Sequence, residues 1–157
     1  METMDPKTKI GDFIKSRILR YELQILVLII LILLLRIFNI PFTGMIGTLV
    51  LMSISVIYFF SAFAVTEDSE LTAIDNFIYK LTAIASSVVI IGILFLIQHW
   101  PNGKMMITIG LLSLIASLSY IVYQKIRRPE EEKFNNLILL RIIILGIISA
   151  GVLYFGI

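Results

Sequence analysis

The sequence contains no cysteine, a single histidine and a single tryptophan. Without cysteine there is no disulfide framework, no thiolate nucleophile and no cysteine metal site. One histidine with no acid near it makes a poor metal site, and no set of nucleophile, base and orienting group for hydrolysis is present. No catalytic, cofactor-binding or metal-binding residue is therefore assigned, and the chain is read as a non-enzyme that needs no cofactor. Also missing are Asp and Glu from the middles of the apolar runs. Proteins that move ions or solutes usually keep ionisable groups there, because such groups are expensive in hydrocarbon and persist for a function. The net charge of +2 gives no support for nucleic-acid binding.

What is present is apolar length. Of 157 residues, 59% are hydrophobic, with a mean hydropathy of +0.99, against roughly 45–50% in soluble domains. A membrane span needs about 20 apolar residues, and five such runs fill nearly the whole chain, which leaves no room for a soluble catalytic domain. Because the runs are continuously apolar, helices are expected rather than a barrel. The fold expected is an all-α membrane protein of five transmembrane helices, two parallel-repeat hairpins plus one C-terminal helix.

The expected segments are a basic N-terminal cytoplasmic stretch (1–22), a first hairpin (23–65), an acidic cytoplasmic loop (66–76), a second hairpin (77–123), a charged connector (124–136) and a fifth helix (137–157). In the first stretch Ile10, Phe13, Ile14 and Ile18 fall at helical spacing among Lys7, Lys9, Lys15, Arg17 and Arg20. That pattern fits either an interfacial amphipathic helix or a cytosolic extension of the first span. The first span follows as a retained signal anchor, since no small-residue cleavage site succeeds it. Between Thr66 and Lys80 lie Glu67, Asp68, Glu70 and Asp75 against Lys80, read as a solvated linker or as a binding surface for a basic partner, and Ser69 or Thr66 is expected to cap a short helix that runs into the third span. Pro129 marks the break in the connector.

Two turns concentrate the unusual residues. Pro41 breaks the chain after Arg36, and Gln98-His99-Trp100-Pro101-Asn102-Gly103-Lys104 breaks it again 60 residues later. At that offset Pro41, Met45, Thr48 and Ser53 fall on Pro101, Met105, Thr108 and Ser113 without a gap, and Ile30, Leu34, Ile37 and Leu51 also match. The two hairpins thus form an internal repeat with a common orientation. Arg36 and Arg141 lie near span ends, where snorkelling would make them topological anchors; the alternative for Arg36 is a carboxylate on another subunit. His99 titrates near neutrality when unperturbed and admits a pH-sensing or ligand role. Against that stands an interfacial turn in which Trp100 anchors at the headgroups and His99 caps the helix or faces water. Small residues on the spans, including Ser53, Ser55, Gly110, Ser117, Gly146 and Ala150, suit close helix packing. With the N-terminus cytoplasmic, 11 of the 13 basic residues lie inside, only Arg36 and Lys104 lie outside, and the C-terminus emerges outside.

The run from Val89 to Ile97 followed by Gln98-His99-Trp100-Pro101, with Thr108-Ile109-Gly110 after it, resembles the N-terminal transmembrane hairpin of the gliding-motility protein GldL. Leu35-Arg36-Ile37 and the aromatic stretch Tyr58 to Phe63 make the first hairpin similar to a diverged copy. The resemblance implies an inner-membrane envelope protein of the bacterial group that carries gliding and type 9 secretion machinery. That family forms a proton-driven motor, with an intramembrane glutamate in its second helix, a lysine before its turn and a long cytoplasmic tail. Here Ile54 and Leu114 stand at the glutamate positions, Leu96 stands at the lysine, and a second hairpin with a fifth helix replaces the tail. Motor activity is therefore not implied. The expected role is a structural or accessory subunit of an envelope complex, embedded in the lipid bilayer as a homo-oligomer or with a membrane-protein partner. The alternative is a small-molecule or ion transporter acting as an oligomer.

Overall fold

A computed structural model describes residues 6–38, 43–64, 72–127 and 136–155, with side chains from Tyr21 onward apart from those of residues 37, 43 and 64. Pro41, Thr66 to Glu70 and Pro129 lie outside the described residues, so the proline of the first turn, the expected caps Thr66 and Ser69, and the connector break go without a structural account. So do the side chains of the N-terminal amphipathic stretch.

The described chain is all helical: α1 (Pro6–Ile37), α2 (Thr43–Ala64), α3 (Ala73–Ile97), α4 (Gly103–Arg127) and α5 (Asn136–Phe155). Four of these, over Gly44–Phe63, Ala73–Ile97, Gly103–Arg127 and Asn136–Phe155, are long and apolar enough to cross a membrane. The first helix joins the basic N-terminal stretch to the apolar run from Leu23 without interruption.

Local chemistry sets the helix ends. Thr72 caps α3: its hydroxyl accepts from the Asp75 amide at 3.2 Å, while the Asp75 carboxylate accepts from the Thr72 amide at 3.1 Å. This reciprocal box satisfies two backbone donors that the first helical turn leaves open. Lys125 and Arg127 fall in the last turn of α4, where positive charge suits the carbonyl end of a helix. The Lys125 ammonium reaches across the connector to the Asn136 side chain at 2.6 Å, which ties the end of α4 to the start of α5.

The helix α3 is central, packed against α2, α4 and α5, while α1 packs against α2 and α5, and α5 also against α4. The sequence explains this. Helix association in lipid gains little from hydrophobic burial and depends on close packing and interhelical hydrogen bonds. The small residues Ala83, Ala85, Ser86, Ser87 and Gly92 on α3 are all buried. Closest approach is between α3 and α4. A Cβ built on Gly92 would lie 2.9 Å from the Ile107 backbone nitrogen, one on Gly103 2.9 Å from the Leu96 nitrogen, and one on Gly110 2.6 Å from a Val89 methyl. On the other flank, the Ser55 and Ser87 hydroxyls meet at 2.8 Å and join α2 to α3.

Candidate functional site

On α1 the buried positions run Glu22, Leu26, Ile29, Ile32, on α2 Leu51, Ile54, Ser55, Tyr58, Ser61, Ala62, and on α5 Ile138, Arg141, Ile142, Leu145, Ser149, Val152. Each set follows the i, i+3/i+4 stripe of one helix face. Each stripe is apolar apart from small hydroxyls and one larger polar residue, and the three stripes converge. Glu22 is 0% exposed and Arg141 6%. Tyr58 donates its hydroxyl to Glu22 Oε1 at 2.8 Å. Arg141 Nε lies 3.3 Å from that oxygen, and the guanidinium sits 4.8 Å from the Tyr58 ring centre, within reach of a cation–π attraction.

This triad corrects two expectations. Arg141 is not a snorkelling anchor: it occupies a buried stripe position, so its guanidinium turns into the bundle. The second expectation concerns where the cytoplasmic stretch ends. Glu22, placed by the sequence in the cytoplasmic stretch, is part of the continuous α1 and continues the inward stripe of the apolar run. Burying two ions costs several kcal/mol each, and their attraction offsets this only when geometry is good and the remaining polar atoms are bonded. That second condition is unmet. Among the described residues, Glu22 Oε2 and Arg141 Nε and Nη1 have no hydrogen-bond partner.

A second polar cluster occupies the same end of the bundle. Tyr120 on α4 donates to Asp75 Oδ1 at 2.9 Å, and Gln124 donates to the Tyr120 hydroxyl at 2.8 Å. The capping carboxylate of α3 thus doubles as a bolt to α4, a structural role.

The opposite end holds the two turns. There α3 closes in a Schellman motif: the His99 amide bonds to the Leu96 carbonyl at 3.0 Å and the Trp100 amide to the Phe95 carbonyl at 2.7 Å. His99 occupies the left-handed position of this motif, φ 56°, where glycine is usual. Trp100 completes it with the hydrophobic contact such caps favour, its ring edge-on to Phe95 at 5.0 Å. Pro101 follows, where it can no longer disturb the helix. Asn102 is also left-handed, φ 67°, and its carbonyl receives the Met106 amide at 3.0 Å as α4 begins. His99 and Trp100 are both exposed.

Arg36 is held by its own protein. Its Nη2 donates to the Ile97 carbonyl at 3.2 Å, placing a cation on the C-terminal end of α3. Gln98 reaches the other way, to the Thr48 hydroxyl and, at 3.4 Å, to the Gly44 carbonyl of α2. Of the residues singled out from sequence, Arg36, His99, Trp100 and Pro101 therefore gather at one end, and Arg141 stands apart at the other. Sequence reasoning missed Glu22 and Tyr58. The signal that finds them is the i, i+4, i+7 continuation of the buried face, Glu22-Leu26-Ile29, beyond the boundary drawn at the first charged residue. Among the described residues no group of three or more His, Asp or Glu could hold a metal ion.

Residues 81–116, the heart of α3, the capped turn and the first half of α4, match the family model of the GldL N-terminal domain. No curated protein and no solved structure matches the chain. The match covers the stretch in which Gly92, Gly103 and Gly110 bring two helices into backbone contact. The chain is thus a GldL-like membrane protein through that hairpin.

Proposed function

We propose that this GldL-like protein is a non-enzymatic, multi-pass inner-membrane subunit with a structural or accessory role in a bacterial envelope complex. The observation that carries the proposal is the glycine-locked α3–α4 hairpin, which matches a domain of gliding-motility proteins, together with the apolar residues at the two positions where that family bears its intramembrane acid. Ile54 and Leu114 are both buried among helices, so neither hairpin offers a carboxylate at that place. The α1 helix makes the fifth crossing, with the N-terminus cytoplasmic and the C-terminus outside, as the basic residues favour.

The internal repeat belongs to the same proposal. Thr48 and Thr108 each donate to the carbonyl four residues back, at 2.6 and 2.8 Å, and Ser53 and Ser113 do the same at 2.8 and 3.0 Å. Met45 and Met105 are both exposed, and Ile54 and Leu114 are both buried. Reporter fusions after Phe155 and within the connector test the topology; a cytoplasmic C-terminus removes the five-span arrangement. In-cell crosslinking from exposed positions of α4 and α5, followed by gentle extraction, tests the subunit role. The expected result is a defined homo-oligomeric or hetero-oligomeric band, and a monomer with no crosslinked partner removes the proposal.

One observation favours a second reading, an oligomeric ion or small-molecule transporter: the buried, incompletely bonded Glu22–Arg141 pair is a costly feature of the kind pathways retain. Flux through reconstituted liposomes that is lost on substituting Glu22 separates this reading from the first.

A further inference from the structure

We infer that the Glu22–Tyr58–Arg141 cluster is a binding site for a proton and bridging water, open to one side of the membrane only, and that proton uptake frees α5 from α1. The inference goes beyond the subunit role, because it rests on groups of this chain alone.

The first support is the set of open valences. Glu22 Oε2, Arg141 Nε and Arg141 Nη1 are buried without partners among the described residues. An acceptor and two donors left open beside the Glu22–Arg141 contact are groups that a buried water can satisfy. The second support is isolation. α1 packs against α2 and α5 only. Tyr58 is the one titratable residue described on α2, and α5 offers Arg141 and the exposed Tyr154 near its far end. Among the described residues the carboxylate is therefore held by one phenol and one guanidinium. Asp75 and Tyr120 of α3 and α4, at the same end, bond to each other.

The third support is position. Arg141 lies five residues into α5, about 8 Å from its start at 1.5 Å per residue, whereas Ile37 and Phe155 close the far ends of α1 and α5 roughly 20 Å away. Toward that far end the buried faces carry Leu26, Ile29, Ile32, Leu51, Ile54 and Leu145, with no titratable group to pass a proton on. The site therefore exchanges with the end at which α3 and α5 begin. When Glu22 accepts a proton on Oε2 it becomes neutral, and Arg141 keeps its charge without a counter-ion. A buried unpaired guanidinium is strongly unfavourable. About 8 Å separates it from the helix start, a distance the long side chain can cover by turning toward the headgroups, and in doing so it gives up its hold on α1.

The protein in lipid nanodiscs supplies the test, and its lack of cysteine allows unique labelling. Spin labels at Val27→Cys on α1 and Ile147→Cys on α5, both exposed, report the separation of the two helices across a pH series. Infrared difference spectra report the carboxyl group. The expected result is a protonated-carboxyl band that rises on acidification with the same midpoint as a lengthened label distance. Both changes should be lost in E22Q and in the uncharged double variant E22Q/R141M, which keeps the measurement available if E22Q alone fails to fold. A band that persists in the double variant, no band at all, or a label distance that stays constant through the band's midpoint overturns the proposal. In liposomes the protein should leave an imposed pH gradient intact; dissipation abolished by E22Q would mean a through path and would overturn the one-sided site.

Discussion

The two hairpins face the same problem, holding apolar helices together in an apolar solvent, and answer it differently. Between α3 and α4, glycines remove side chains until backbone meets backbone. Between α1 and α2 a Cβ built on Gly47 would meet no backbone, only the β-branch methyl of Ile32 at 3.0 Å. There a polar link supplements packing: Tyr58 of α2 bonds to Glu22 of α1, which in turn faces Arg141 of α5. The difference teaches that the family-like hairpin is a unit specified by shape, while the α1–α2 pair is specified by charge and depends on a fifth helix to complete it.

The comparison can be broken most severely at the ion pair. Replacing Arg141 with leucine should cost about 3–5 kcal/mol, the usual effect of stranding one buried charge, whereas E22L/R141L should recover most of that loss. Unfolding in detergent micelles, with the single and double variants side by side, checks this. If the double variant is as weak as the single, the pair is not what specifies the first half.

At the glycine seam the expected effects are smaller. Gly110→Ala should destabilise by about 1–3 kcal/mol, because the added methyl meets Val89 and the Ala85 carbonyl, and Gly47→Ala by distinctly less. Thermal denaturation of both variants under one condition tells whether shape or charge dominates each interface. Ser55→Ala removes the bond to Ser87 and should cost about 0.6 kcal/mol, the average for such bonds in membranes.

At the capped turn the expected change has the opposite sign. His99 holds a left-handed conformation in which glycine is unstrained, so His99→Gly should raise stability by up to about 1 kcal/mol, and His99→Val should lower it. A loss of stability on His99→Gly would mean that the imidazole itself contributes at the turn.

Five apolar runs and the break between the third and fourth were legible in the sequence because apolar length and turn chemistry are local, whereas α1 begins at Pro6 and α3 at Ala73, ahead of the starts expected at 23 and 77. His-Trp-Pro announced the break, and the structure adds what each residue does in it: a left-handed cap, a ring laid on Phe95, a stop. The cap of α3 is Thr72, not Thr66 or Ser69: Asp75 reads as one of a run of solvated acids, although a threonine three residues before an aspartate is itself a capping signal. The triad was illegible for a different reason. A charged residue near the end of an apolar run reads as a boundary when residues are counted along the chain. Whether it faces lipid or protein depends on which helix lies opposite, and α1, α2 and α5 are brought together only by the fold. Arg36 shows the same limit: its partner, the Ile97 carbonyl, belongs to the other hairpin and carries no side-chain signature.

The pairing of Glu22 with Arg141 also bears on how the protein is made. The first helix leaves the ribosome carrying an acid, and its counter-ion arrives only with the last helix, after both turns and the connector have been synthesised. Until then the bundle is missing a charge at one corner. A chain truncated before α5 therefore leaves Glu22 without the guanidinium it faces in the folded bundle.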